Sequence, residues 1–147
     1  MNSTSTILIV EDALDDYEAC VTALTHDHNL ANPIHHCETG DEALDYLRGR
    51  GKYADPRPEL PCLILLDLNL PGTDGREVLT QIKADGQLKM IPVVVMTSSR
   101  DQTDIDACYR QGANSYVVKP VDLTGFIEAI ARLRDYWFQI VLLPAAK

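Results

Sequence analysis

Short apolar runs that stop abruptly at polar residues recur along the chain, and each is followed by a stretch with helical spacing. Ile7-Leu8-Ile9-Val10 ends at Glu11-Asp12, and Leu14, Tyr17, Val21 and Leu24 then recur at helical intervals. Acids stand near the start of that helix, where its dipole favours them, and the pattern fades at His26-Asp27-His28-Asn29. Ile34 to Cys37 reads as a weaker second strand, and Thr39-Gly40-Asp41-Glu42 has the T-x-x-E form of a capping box. It opens a helix carrying Ala43, Leu44 and Leu47. Leu63 to Leu66 is a third run, bounded by Pro61 and ending at Asp67. The turn residues Asn69, Pro71, Gly72 and Asp74-Gly75 lead into a helix with Val78, Leu79 and Ile82 on one face. Val93 to Met96 follows Pro92 and ends at Thr97-Ser98-Ser99, and Ser99-x-x-Gln102 again has the capping-box form. Ile105, Cys108 and Tyr109 give the next buried stripe, which Gly112 closes. Ser115 to Val118 ends at Lys119-Pro120, and the last helix starts near Asp122 with Phe126, Ile130, Leu133 and Trp137 as its stripe.

Four consecutive apolar residues bounded by turn signals suit a strand buried on both faces, as parallel sheets require. Strands alternating with helical patterns predict an α/β fold, a doubly wound five-stranded parallel sheet with helices on both faces. Residues 49–61 form a Gly-, Pro- and charge-rich loop of unusual length. It is not a domain boundary, because neither side would hold a core alone. Residues 1–5 are a polar start, and the segment after Trp137 is apolar.

Composition narrows the partners. Apolar residues make up 46% and charged residues 24%, an ordinary globular balance for one domain. A net charge of −9 without a Lys/Arg cluster argues against nucleic acid. No run approaches the roughly 20 apolar residues that cross a bilayer, and Ile7 to Val10 is too short for a signal-peptide core. A cytoplasmic protein with no membrane association is expected. Cys20, Cys37, Cys62 and Cys108 are scattered, which predicts buried thiols rather than a zinc site or a disulfide framework.

The chemistry stands at the strand ends. In a parallel sheet the carboxyl ends share one edge, where open α/β sheets bind ligands. Glu11, Asp12, Asp67, Thr97, Ser98 and Lys119 therefore converge. Taken singly they could be acid caps, a strand-end threonine and a surface lysine. Together, three acids held close repel one another, and such a cluster suits a hard cation such as Mg²⁺. Lys119 and the Thr97 hydroxyl are natural donors to a phosphoryl group, and the carboxylate left free would be its nucleophile.

These residues resemble the receiver domain of two-component response regulators. The resemblance rests on Glu11-Asp12, on Leu65-Leu66-Asp67-Leu68-Asn69-Leu70-Pro71 with Asp74-Gly75, on Thr97-Ser98 and on Lys119-Pro120. It implies a flavodoxin-like sheet of order 2-1-3-4-5. It implies that Asp67 accepts a phosphoryl group from a sensor histidine kinase. Asp12, Asp67 and the main-chain carbonyl of Asn69 would ligate Mg²⁺, with Glu11 helping through water. Thr97 would hydrogen-bond the phosphoryl group, Lys119 would pair with it, and the Lys119-Pro120 bond would be cis. The protein would be a signalling phosphoacceptor with self-phosphorylation and self-dephosphorylation chemistry at Asp67, not a metabolic enzyme.

Tyr116 occupies the position of the family's switch aromatic, and with Thr97 it would shift between two packings. The alternative is an exposed strand tyrosine. The receiver would span residues 1–137, with residues 138–147 as an apolar extension and no separate output domain. That extension either packs back or crosses to a second copy, and a homodimer through the last helix-strand-helix face is expected. The long loop with Lys52-Tyr53 and Pro56-Arg57-Pro58, together with the tail, resembles small response regulators serving bacterial phytochromes. A phytochrome-type kinase would then be the partner. A phosphate-relay role remains open. A haloacid-dehalogenase-like phosphatase needs a second acid two residues after its nucleophile, where this chain has Asn69, which cannot titrate. His26/His28 and His35/His36 are not set in a metal-binding pattern and are expected to face solvent or a partner.

Overall fold

The computed structural model describes residues 5–25 and 32–140. Five parallel strands, β1 (Ile7–Val10), β2 (Ile34–Cys37), β3 (Leu63–Leu66), β4 (Val93–Thr97) and β5 (Ser115–Val118), form one sheet of order β2-β1-β3-β4-β5. Among the described residues, five α-helices connect and follow them: α1 (Leu14–Thr25), α2 (Gly40–Arg48), α3 (Gly75–Ala84), α4 (Gln102–Arg110) and α5 (Leu123–Asp135). The flavodoxin-like, doubly wound architecture expected from the sequence is the one observed.

Strand alternation divides the core into two layers. Leu8, Val10, Ile64, Leu66, Val93 and Val95 face α2, α3 and Cys108 of α4. Ile7, Ile9, Leu63, Leu65, Val94 and Met96 face α1 and α5. All twelve are fully buried. A residue slip in any central strand would exchange the two sets, so the register is strongly specified. The edge strands β2 and β5 are only half-buried along most of their length, which is why their sequence patterns are weaker.

Helix starts follow local chemistry. Thr39 caps α2 by accepting from the Glu42 amide at 3.0 Å, while Glu42 reaches back to the amide of Glu38 at 3.1 Å. The expected Ser99 cap on α4 is replaced by Asp101, whose carboxylate accepts from the Thr103 amide at 3.0 Å. Ser99 lies upstream of the helix start, its hydroxyl accepting from the Asp101 amide at 3.3 Å and donating to Asp104 at 2.8 Å. Asp122 caps α5; of the expected stripe, Phe126 and Ile130 are buried and Leu133 half-buried in that helix, and Trp137 is buried just beyond its end. A π-helical turn, Tyr136–Ile140, follows α5, and Phe138 packs on the α1/α5 side of the core. The remainder of the extension, residues 141–147, lies outside the described residues, as do His26 and His28.

All four cysteines are buried and free. Burial pushes the Cys20 and Cys37 thiols up to about 12, so they are inert at neutral pH. The Lys119–Pro120 bond does not take the cis form expected from the family resemblance; among the described residues only Asp55–Pro56 does. Trans is the intrinsically favoured form of an X–Pro bond, and from it Lys119 already reaches its carboxylate partners.

Candidate phosphoryl-acceptor site

The sheet ladder continues one residue beyond three of its strands. The amide of Glu11 donates to Cys37 O at 3.0 Å, that of Asp67 to Val10 O at 3.0 Å, and that of Lys119 to Thr97 O at 2.8 Å. The residues that follow β1, β3 and β5 are thus held at the carboxyl edge by the same bonds that hold the sheet. Carboxylate oxygens of Glu11, Asp12 and Asp67 lie within 4.8 Å of one another. Glu11 is fully buried and Asp67 nearly so, whereas Asp12 is exposed.

Lys119 supplies the balancing charge. Its Nζ lies 2.5 Å from Glu11 Oε1, 2.8 Å from Asp16 Oδ2 and 3.1 Å from Asp67 Oδ2. Burial alone would lower the ammonium's pKa, but hydrogen bonds to Asp16 and Glu11 and the Asp67 charge hold it above its ordinary value. Burial pushes the Glu11 carboxyl up to about 7, against the pull of its hydrogen bond to Lys119, and the neighbouring Asp67 charge adds to the rise.

The β3–α3 turn orients Asp67. Asp67 Oδ1 accepts from the Asn69 amide at 3.2 Å, and Oδ2 faces Lys119. Gly75, the first residue of α3, donates to Leu68 O at 2.8 Å and lies against the Asp67 carbonyl. Thr97 is fully buried, its hydroxyl 3.5 Å from Asn69 Nδ2 and 3.4 Å from the Ser99 amide. Ser98 is exposed. Tyr116 is half-buried rather than an exposed strand residue; its hydroxyl donates to Ser99 O at 3.0 Å. The same loop is braced by Asp104, which accepts from Ser99 and, at 2.8 Å each, from Nε and Nη2 of Arg76. Those bonds hold the Asp104 carboxyl down at about 2.

Two features escaped the sequence reading. Asp16, one helical turn after Asp12, is a direct partner of Lys119. The histidines of β2 are also not solvent-facing. His36 stacks on Tyr17 at 3.6 Å between ring centroids and donates to the Glu11 carbonyl at 2.7 Å. His35 stacks on Tyr46 and donates to the Tyr53 hydroxyl, which itself donates to Glu42 at 2.7 Å. Long-loop residues Lys52 and Tyr53 fold back over this edge, Lys52 pairing with Glu42 at 3.0 Å. His35, Cys37 and Glu42 do place metal-ligand atoms within 4.8 Å, contrary to expectation. Tyr53 and Lys52 already satisfy that cluster as a hydrogen-bond network.

Comparison with known proteins places the fold. The family model for the response regulator receiver domain matches residues 7–131. The response regulator Rcp1 of Synechocystis sp. is 40% identical over 99% of this chain and 97% of its own. The crystal structure of the phosphorylated cyanobacterial phytochrome response regulator RcpA superposes with a TM-score of 0.90 at 37% identity, covering 97% of this chain and 99% of that one. The Mn²⁺-bound form of Rcp1 also superposes at 0.90, with 37% identity over 96% of this chain and 99% of that one. With the family model matched over residues 7–131, and with strand order and similarity to Rcp1 and RcpA along the chain in agreement, the chain belongs to the response regulator receiver domain family and is related to phytochrome response regulators.

Proposed function

We propose that the protein accepts a phosphoryl group on Asp67 from a phytochrome-type sensor histidine kinase and transmits the change through Thr97 and Tyr116. The observation that carries this reading is the Asp67 carboxylate, 3.1 Å from Lys119, at a sheet edge where three carboxylates converge. The all-oxygen donor set suits a hard cation. Asp12, Asp67 and the Asn69 main-chain carbonyl would hold Mg²⁺ directly, with Glu11 behind them. When bound, the ion supplies neutralisation of the acceptor and phosphoryl oxygens.

An Asp67 carboxylate oxygen attacks phosphorus as the P–N bond of the phosphohistidine breaks. The bonding electron pair returns to the imidazole nitrogen, and a mixed anhydride forms on Asp67. Lys119 neutralises oxygens of the transferred group, and Thr97 donates its hydroxyl to one of them. Phosphorylation adds roughly −1.5 to −2 charges. Drawing Thr97 inward pulls on the Ser99 loop, to which the Tyr116 hydroxyl and Asp104 are both tied. Wild-type protein with Mg²⁺ should bind beryllofluoride, a phosphoryl mimic, as a discrete ¹⁹F resonance; its absence would refute the acceptor role.

Replacing Tyr116 by Ala should leave labelling of Asp67 nearly intact. It should weaken the coupling to dimerisation or partner binding about 10-fold, within the usual range of allosteric coupling energies. Sedimentation of phosphorylated wild type and variant compares the two, and equal association would remove Tyr116 from the switch.

The receiver would span residues 1–137, and residues 138–147 would act as a dimerisation arm together with the α4–β5–α5 face, although Phe138 itself packs on the α1/α5 side of the core. Tyr109 of α4, Leu123 at the start of α5 and Tyr136 in the π-helical turn after it are each at least half exposed, apolar surface available to a partner. Deleting residues 138–147 is expected to give a monomer at concentrations where the full chain sediments as a dimer. A truncated chain that remains dimeric rules the arm out.

A further inference from the structure

Lys119 has three N–H donors and three carboxylate partners, so in the resting protein none of its donors is free for a phosphoryl oxygen. Pairing with the phosphoryl group requires one partner to be released. Glu11 is fully buried, and releasing its 2.5 Å bond to Lys119 would leave it no water to replace that partner. Asp67 is the acceptor itself. Asp16 stands in the first turn of α1 with a third of its side chain exposed, so water can solvate it once Lys119 leaves. Its bond to Lys119, at 2.8 Å, is shorter than the Lys119–Asp67 contact at 3.1 Å.

We propose that Asp16 is a positioning residue that holds Lys119 toward α1 in the resting state and competes with the phosphoryl group for it. The inference rests on the acceptor reading above. It makes Asp16 a brake on the phosphorylated state. The bond a phosphoryl oxygen forms with Lys119 is offset by the Lys119–Asp16 bond that must break. Asp16 touches neither phosphorus nor the attacking oxygen, and acts only through the lysine.

The test measures beryllofluoride affinity at saturating Mg²⁺ for wild type, Asp16→Asn, Asp16→Glu, Lys119→Met and the Asp16→Asn/Lys119→Met double variant. Asparagine keeps the size of the side chain and its place in the first helical turn. A partly exposed ion pair of this kind corresponds to about 2- to 5-fold in an equilibrium constant. Asp16→Asn should therefore bind beryllofluoride about 2- to 5-fold more tightly and lose its phosphoryl group correspondingly more slowly, with Asp16→Glu falling back toward wild type. In the Lys119→Met background the Asp16→Asn effect should vanish, which a merely structural role or a long-range field would not produce. Unchanged or weaker binding by Asp16→Asn, or an effect that survives loss of Lys119, overturns the inference while leaving the acceptor role standing. Failure of wild type itself to bind overturns both.

Discussion

Asp67→Asn is expected to abolish phosphoryl labelling by acetyl phosphate while leaving the fold intact. The amide keeps the size of the side chain but is no longer an anionic nucleophile, and the neighbouring acids do not replace it. Glu11 is fully buried and bonded to Lys119 and to the Ala13 amide. Asp16 is bonded to the same lysine. The loss should therefore be complete rather than partial. Mg²⁺ affinity should fall about 10-fold or more, since a charge-assisted contact worth 1.4 kcal/mol or more is removed. Thermal stability should hold or rise, because one of the mutually repelling carboxylates is gone. The Asp67 charge helps raise the Glu11 carboxyl to about 7, so in the variant Glu11 should titrate lower, an effect ¹³C NMR of that carboxyl resolves. Residual labelling at wild-type rate would place the acceptor elsewhere.

Gly75→Ala should have a large effect for a change that leaves every charge in place. A Cβ there would sit 2.1 Å from the Asp67 carbonyl oxygen, 2.6 Å from Leu68 Cα and 2.8 Å from Leu68 O, all backbone atoms that have nowhere to move. The backbone of Gly75 is not in the left-handed region, so the penalty is steric rather than conformational. Overpacking against backbone costs about 3 kcal/mol, at the upper end of the usual range. For a chain of this size that lowers Tm by roughly 10 °C. Labelling should fall too, because the atoms displaced carry Asp67, the proposed acceptor. Gly86→Ala is the matched control: nothing lies within 4 Å of its Cβ position, and its stability should stay within about 0.5 kcal/mol of wild type. Equal melting curves for the two variants would mean that the β3–α3 turn yields easily.

The parts legible in the sequence were those where one residue type serves both fold and site. Leu63–Leu66 had to end somewhere, and ending at Asp67 marked the strand boundary and the chemistry together. Glu11 and Lys119 were legible for the same reason, since the ladder holds each of them one residue beyond its strand. Asp16 was not, because an acid in a first helical turn is already explained by the helix dipole. The environments of His35 and His36 depend on Tyr17, Tyr46 and Tyr53, side chains from two helices and a long loop, and no local pattern announces such a meeting. Ser99 failed as a predicted cap because α4 begins only at Gln102, two residues past the reach of its hydroxyl, which accepts from the Asp101 amide while Asp101 itself caps the helix. The cis bond expected at Lys119–Pro120 came from family resemblance alone, and no feature of the local sequence required it.

The central claim, that Asp67 is the phosphoryl acceptor, is tested most directly by locating the modification. Wild-type protein would be incubated with acetyl phosphate with and without Mg²⁺, its intact mass recorded, and the acyl phosphate reduced with borohydride before peptide mapping. One Mg²⁺-dependent phosphoryl group per chain, recovered as homoserine at position 67, is the predicted result. A phosphoryl group mapped to another residue, or no adduct together with no beryllofluoride binding, would contradict the account and leave the acidic edge a structural cluster.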